Sequence, residues 1–283
     1  MLAVDLDSRS SKKKERIPIL NIVLFIVTFI SATLVQAQSW SFEGVLTGLQ
    51  FSIPLMAILL FHESGHYIAS RIHKVKVSYP YFIPAPTIIG TLGAIIKSKS
   101  PFYNRRQLID VGAAGPIAGF IVAIVVTIIG LSYSPVMPVK SDMVGITLGD
   151  SLIFNGLVAL IVGNVPDGYE LMLSPMAFAG WVGFFVTMLN LLPVGQLDGG
   201  HIAYALFGKR HRILSKVIVF ALLPLGFLWL GWFLWAFLLL FILKTNHPPT
   251  IDDSYYLDKR RRLVGYISLA IFILTFTPVP ITI

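Results

Sequence analysis

The chain has 283 residues, of which 55% are hydrophobic and only 13% charged, with a formal charge of +8. Soluble domains carry about a quarter charged residues, and disordered chains combine low hydrophobicity with high net charge, so both classes are excluded. Cysteine is absent, which removes disulfides, thiolate metal sites and cysteine nucleophiles. The basic residues fall between apolar runs of about 20 residues, the pattern of loops in a multi-pass membrane protein; nucleic acid is not an expected partner, and membrane lipid is.

Lys12, Lys13, Lys14 and Arg16 make residues 1–16 a basic N-terminus, expected to be cytoplasmic. Residues 17–37 are long enough to span, and read as a retained anchor rather than a cleaved signal. A second span runs from Gly44 to Ile72, where Arg71, His73, Lys74 and Lys76 mark the cytoplasmic side again. Residues 79–86 (Tyr-Pro-Tyr-Phe-Ile-Pro-Ala-Pro) then lead into Gly90-Thr-Leu-Gly93-Ala. The prolines block a helix while the apolar side chains argue against a solvated loop, so a re-entrant or strand-like membrane segment is expected. A third span covers about 108–131 and opens on small residues from Gly112 to Gly119, read as close helix packing.

Residues 132–170 hold Asp142, Asp150, Asp167 and Glu170 against Lys140 alone, which fits an outer loop. A fourth span, about 171–192, returns inward to Lys209, Arg210 and Arg212. Residues 213–243 are long for one span and short for two. Lys244 and the basic run 259–262 stay cytoplasmic only if that stretch is a hairpin turning near Leu225–Gly226 or Gly231. A last span, about 263–277, goes outward. The expected fold is an all-α polytopic membrane protein of six to seven transmembrane helices, with one short β-like membrane segment. Residues 17–283 form a single transmembrane domain.

The chemistry concentrates in His62-Glu63-Ser64-Gly65-His66. Residues four apart share a helix face, so both imidazoles can reach one metal ion, and Glu63 lies on the side where a water would be activated. Zinc lowers the pKa of such a water to about 7, which lets a carboxylate act as general base. An ionisable residue inside a span costs roughly 3 kcal/mol, so three in five positions demand a purpose. Catalytic zinc takes three protein ligands and leaves one position open. Topology permits either Asp110 or Asp198 as the third. Asp198 is favoured because Pro193, Gly195, Gly199 and Gly200 break the helix around it and open a cavity. Asp110 reads instead as an interfacial acid pairing with Arg105 or Arg106.

The His62–His66 motif on one span, with Asn190…Pro193…Leu197-Asp198-Gly199 at the end of a later one, resembles the site-2 protease family of intramembrane zinc metalloproteases. The resemblance covers about residues 44–207 and implies a catalytic core there. It implies zinc on His62, His66 and Asp198, with Glu63 as general base. It further implies that Asn190 holds the substrate backbone or tetrahedral intermediate. Gly90 and Gly93 lie in a stretch similar to the family's membrane strand, on which an unwound substrate would pair, and Ala114-Gly115-Pro116 matches a common family element. A compact type without PDZ or CBS domain is expected, acting on a transmembrane protein substrate, and located in the cell membrane with its site toward the cytoplasm. A membrane metal-ion transporter could use the same ligands, but has no need of Glu63; a non-catalytic pseudoprotease has no need of the complete set.

His201 reads as structural or interfacial, and His73, His211 and His247 as exposed loop residues. The run Phe227 to Trp235 reads as lipid-facing or as an interfacial turn.

Overall fold

The computed structural model describes residues 17–37, 39–139 and 147–282. The basic N-terminus 1–16, Gln38, Lys140 and Asp142 lie outside that range. Helices α1 (Ile19–Gln36), α2 (Phe42–Ile72) and α3 (Arg105–Ser132) are the three, among the described residues, that are both long and apolar enough to cross a membrane. At about 1.5 Å per residue, the 31 residues of α2 exceed a hydrocarbon core of about 30 Å. The apolar side chains of α1 are largely exposed, from Ile19 to Leu34. Such a face is stable only against lipid, and the chain is an integral membrane protein.

Local chemistry sets the helix boundaries. Ser41 Oγ accepts the Gly44 amide to start α2, and Asn104 Oδ1 accepts the Gln107 amide to start α3. Ser174 caps α5 (Pro175–Leu191), with Pro175 in the first turn, where its missing N–H costs nothing. Helices α2, α3 and α5 pack on one another around Phe51, Leu55, Ile58, Ala123, Val182 and Phe184. Against α2, α1 is fixed by a buried 2.7 Å hydrogen bond between Thr33 and Ser52.

After α2 the chain forms an antiparallel hairpin, β1 (Tyr81–Pro84) with β2 (Thr91–Ile95), irregular between Phe82 and Pro84. The strand-like segment expected from the prolines is therefore present. Two further two-stranded sheets exist, β3 (Val136–Pro138) with β5 (Tyr169–Leu171), and β4 (Thr147–Leu148) with β6 (Ile281–Thr282). The chain is mostly helical rather than all-α.

The stretch 132–170 is more than a loop. It carries α4 (Leu152–Ile161), which buries Phe154 and Leu157 in the main core. The expected fourth span loses its first residues, because Glu170 and Leu171 pair in a strand and α5 begins only at Pro175. Beyond it, α6 (Asp198–Phe207) is short. Residues 213–243 do fold back on themselves, as α7 (His211–Leu225) and α8 (Gly231–Phe237), with α8 running on into a π turn to Ile242. Trp232 does not face lipid: it is fully buried, and its Nε1 donates to the Pro278 carbonyl at 2.6 Å. The aromatic run gave no apolar–polar contrast from which to read that burial. The final helix, α9 (Lys259–Thr275), starts earlier than expected because Asp258 caps it, accepting the Arg261 amide at 3.0 Å.

Candidate metal centre

His62 and His66 lie one turn apart on α2 and are both buried, as is Glu63 between them. Asp198 reaches them from a different element. Leu192 ends α5, and residues 193–197 turn back through Gly195, whose φ of +56° and closeness to the Lys244 carbonyl leave no room for a side chain. That turn sets Asp198 at the first position of α6, where the helix dipole favours a carboxylate. The broken helix inferred from the prolines and glycines is thus what delivers the acid.

Three atoms converge. His62 Nε2, His66 Nε2 and Asp198 Oδ2 form a triangle with every side 3.2 Å. Donors about 2.0–2.1 Å from a tetrahedral zinc stand about 3.3 Å apart, so the triangle fits the ion. His66 Nδ1 lies 2.8 Å from the Val111 carbonyl. A carbonyl only accepts, so Nδ1 carries the proton and Nε2 presents its lone pair to the centre. Oε2 of Glu63 is buried without a hydrogen-bond partner. An orphaned buried carboxylate oxygen beside three converging donors is the arrangement a metal and its water would complete. Among the described residues, this is the one group of three metal-binding side chains that meets at a point.

Asn190, in the last turn of α5, brings its amide nitrogen to 3.4 Å from His62 Nε2. Gly93 lies in β2 with φ +92° and nothing within 4 Å of where a Cβ would stand, so its face is open. Gly90 is engaged elsewhere: a Cβ there would meet the α1 backbone at Ala32 within 2.5 Å, so its missing side chain serves the seating of α1.

Helix α3 supplies what sequence reasoning passed over. A Cβ on Gly115 would stand 2.1 Å from His66 Nε2, and one on Gly119 would stand 3.1 Å from His62 Nδ1. One on Gly112 would stand 2.9 Å from the His201 side chain. These positions share one helical face. The small-residue stripe read as simple packing is the wall against which the His62 and His66 imidazoles rest. The signal was in the sequence, but helix–helix packing leaves the same one.

Asp110 does not pair with Arg105 or Arg106. It receives Arg261 from α9 through both Nε and Nη2, the latter at 2.7 Å, and lies 2.9 Å from His73 Nε2. That ties the end of α2, the start of α3 and the start of α9 together. His73 is therefore partnered rather than loose. His211 is buried and 3.0 Å from Ser215 Oγ, and His247 lies 2.6 Å from His201 Nδ1 and stacks on Tyr204. The 244–258 segment folds back over α6, which the basic composition around these histidines did not reveal. Arg105 is taken by Asp253 of that segment, and Arg106 donates to the Tyr256 carbonyl. Burial pushes the Asp253 carboxyl up, but hydrogen bonds from Thr250, Tyr204 and Arg105 outweigh it and hold the group below its ordinary value. The Arg261 amide and guanidinium hold Asp258 down to about 2.

A helical membrane protein in which two buried histidines and a half-buried carboxylate form a triangle, next to a glutamate with one unpartnered buried oxygen, is, by fold and site, of the metallopeptidase class. Residues 50–230 match the family model described as peptidase family M50. The chain is 33% identical over 242 residues to the protein named "Probable zinc metalloprotease EGY1, chloroplastic" of Arabidopsis thaliana, covering 82% of this chain and 43% of that protein. It is 34% identical over 240 residues to the protein of the same name in Oryza sativa subsp. japonica (82% and 41%), and 29% identical over 240 residues to "Probable zinc metalloprotease EGY2, chloroplastic" of Arabidopsis thaliana (82% and 42%). The chain belongs to peptidase family M50, and it spans less than half the length of these relatives.

Proposed function

We propose that this zinc metalloprotease hydrolyses a peptide bond within or near a transmembrane segment of another membrane protein. The observation that carries the proposal is the 3.2 Å triangle of His62, His66 and Asp198 with the orphaned Glu63 oxygen beside it. His62, His66 and Asp198 would hold the ion. Zinc bound there would lower the pKa of a water and polarise the scissile carbonyl. Glu63 takes the proton from the attacking water and hands it to the departing amine. Asn190 steadies the substrate carbonyl as it becomes tetrahedral. The outer edge of β2 around Gly93 pairs with the unwound substrate chain, because a peptide bond inside a helix hides its carbonyl. A transport site has no use for Glu63.

The span count proposed is six to seven: seven if residues 213–243 cross twice as a hairpin, six if they cross once. The basic loops lie on the cytoplasmic side of a cell membrane, and the metal centre opens toward that side. The test is incubation of the purified, reconstituted chain with a membrane protein carrying one transmembrane segment, with fragment masses locating the cut. A cut inside or at the border of that segment, abolished by a zinc chelator and restored by zinc, is the result expected. Cleavage confined to a soluble tail, or unaffected by chelation, contradicts the proposal.

A further inference from the structure

At one end of α1 and α2, against the hairpin, lies a cavity of about 730 Å³ that the protease reading does not use. Arg71, Lys74, Lys76 and Lys99 line it, and among the described residues no carboxylate does. Among the described residues none of these four cations is in an ion pair. Two of them face each other: the ladder of β1 and β2 is extended by the bridge Val77–Ser98, and the Lys99 amide donates to the Lys76 carbonyl at 2.7 Å. Like charges directly opposite on neighbouring strands destabilise a pair unless something neutralises them. Lys74 adds a second anomaly. It holds φ +58° at the end of α2, a position that favours glycine, and its side chain lines the cavity. The walls are fixed, since Asn21 of α1 donates to the carbonyls of Tyr79 and Pro80 at 3.2 and 2.8 Å. Exposed apolar side chains continue along the same two helices, Ile68 on α2 and Val23 and Ile26 on α1.

We infer that this cavity binds the phosphate-bearing headgroup of an anionic membrane lipid, whose acyl chains lie along α1 and α2. Four cations around one cavity, none of them in an ion pair among the described residues, select a phosphate, and the apolar surface beside it selects a lipid over a soluble anion. The inference is independent of the proteolytic reading. It goes beyond nonspecific attraction of basic loops to a charged surface, because it assigns one lipid to one cavity.

Native mass spectrometry of the full chain in detergent, titrated with dioleoylphosphatidylglycerol, dioleoylphosphatidylcholine or inorganic phosphate, tests it. The expected result is one phosphatidylglycerol per chain, bound at least tenfold more tightly than phosphatidylcholine and not displaced by inorganic phosphate. Lys76→Gln and Lys99→Gln should each weaken it about fivefold, the weight of one cation at an anionic surface. Arg71→Gln, Lys74→Gln, Lys76→Gln and Lys99→Gln combined should remove the preference. Lys209→Gln with Lys216→Gln, exposed cations elsewhere, should leave it intact. Equal binding of the two lipids, or a full preference in the combined variant, overturns the inference. Displacement by equimolar inorganic phosphate overturns the lipid assignment in favour of a soluble anion.

Discussion

Gly115→Ala is the most discriminating single substitution in α3. By local propensity it should help, since alanine is the better helix former by about 1 kcal/mol. The surroundings reverse that sign. The added Cβ would lie 2.1 Å from Nε2, 2.3 Å from Cδ2 and 2.6 Å from Cε1 of His66, where ordinary contact begins at 3.4 Å. The imidazole must therefore retreat by more than an ångström. That movement takes Nε2 off a triangle with 3.2 Å sides and strains the 2.8 Å contact from Nδ1 to the Val111 carbonyl. Loss of such a supporting contact costs about 10- to 100-fold in metal affinity, and overpacking adds about 1–3 kcal/mol of destabilisation. Gly119→Ala, with its nearest contact at 3.1 Å, should cost less than Gly115→Ala. Gly156→Ala in α4, with nothing within 4 Å, should cost neither metal nor stability. Zinc titration against a competing chelator on the three purified variants reads the order directly. Wild-type zinc affinity in Gly115→Ala would refute the claim that α3 holds the imidazoles in place.

Asp198→Ala should lose zinc and cleavage together, while Asp110→Ala and His201→Ala keep most of their zinc; elemental analysis of purified protein separates them, and metal loss in the Asp110 variant with full zinc in the Asp198 one would reassign the third ligand. Trp232→Ala should destabilise by about 3–5 kcal/mol, since it empties a fully buried aromatic site; an unchanged thermal midpoint in detergent would return that tryptophan to the lipid face. With no native cysteine, single cysteines at Lys97 and Lys209 should label with an impermeant reagent from the cytoplasmic face and one at Asp150 from the opposite face. Labelling of the Lys97 and Asp150 positions from one face breaks the proposed orientation.

What the sequence disclosed and what it hid follow from how local each signal is. His62, Glu63 and His66 declare themselves through helical spacing, and Asp198 through the proline and glycines that must interrupt a helix around it. Both signals lie within about ten residues. The partner of Asp110 is Arg261, 151 positions away, and no local pattern marks it over Arg105 or Arg106 nearby. Gly115 and Gly119 carry the signal of any close helix contact, so only the structure shows that the neighbour across the gap is a pair of imidazoles. Trp232 fails for another reason: in an apolar segment, periodicity has no contrast, and buried and lipid-facing aromatics look alike. The hairpin β1–β2 was legible because prolines and apolar residues together leave few other conformations at membrane depth.

In the proposed mechanism Glu63 moves the proton at a zinc held by His62, His66 and Asp198. Glu63→Gln is nearly isosteric and leaves all three ligands in place, but its amide cannot accept that proton. Zinc content and turnover of a transmembrane substrate, measured on the same purified sample, give the answer. Wild-type zinc with cleavage abolished is the result expected. Cleavage at the wild-type rate by the zinc-loaded variant would contradict it.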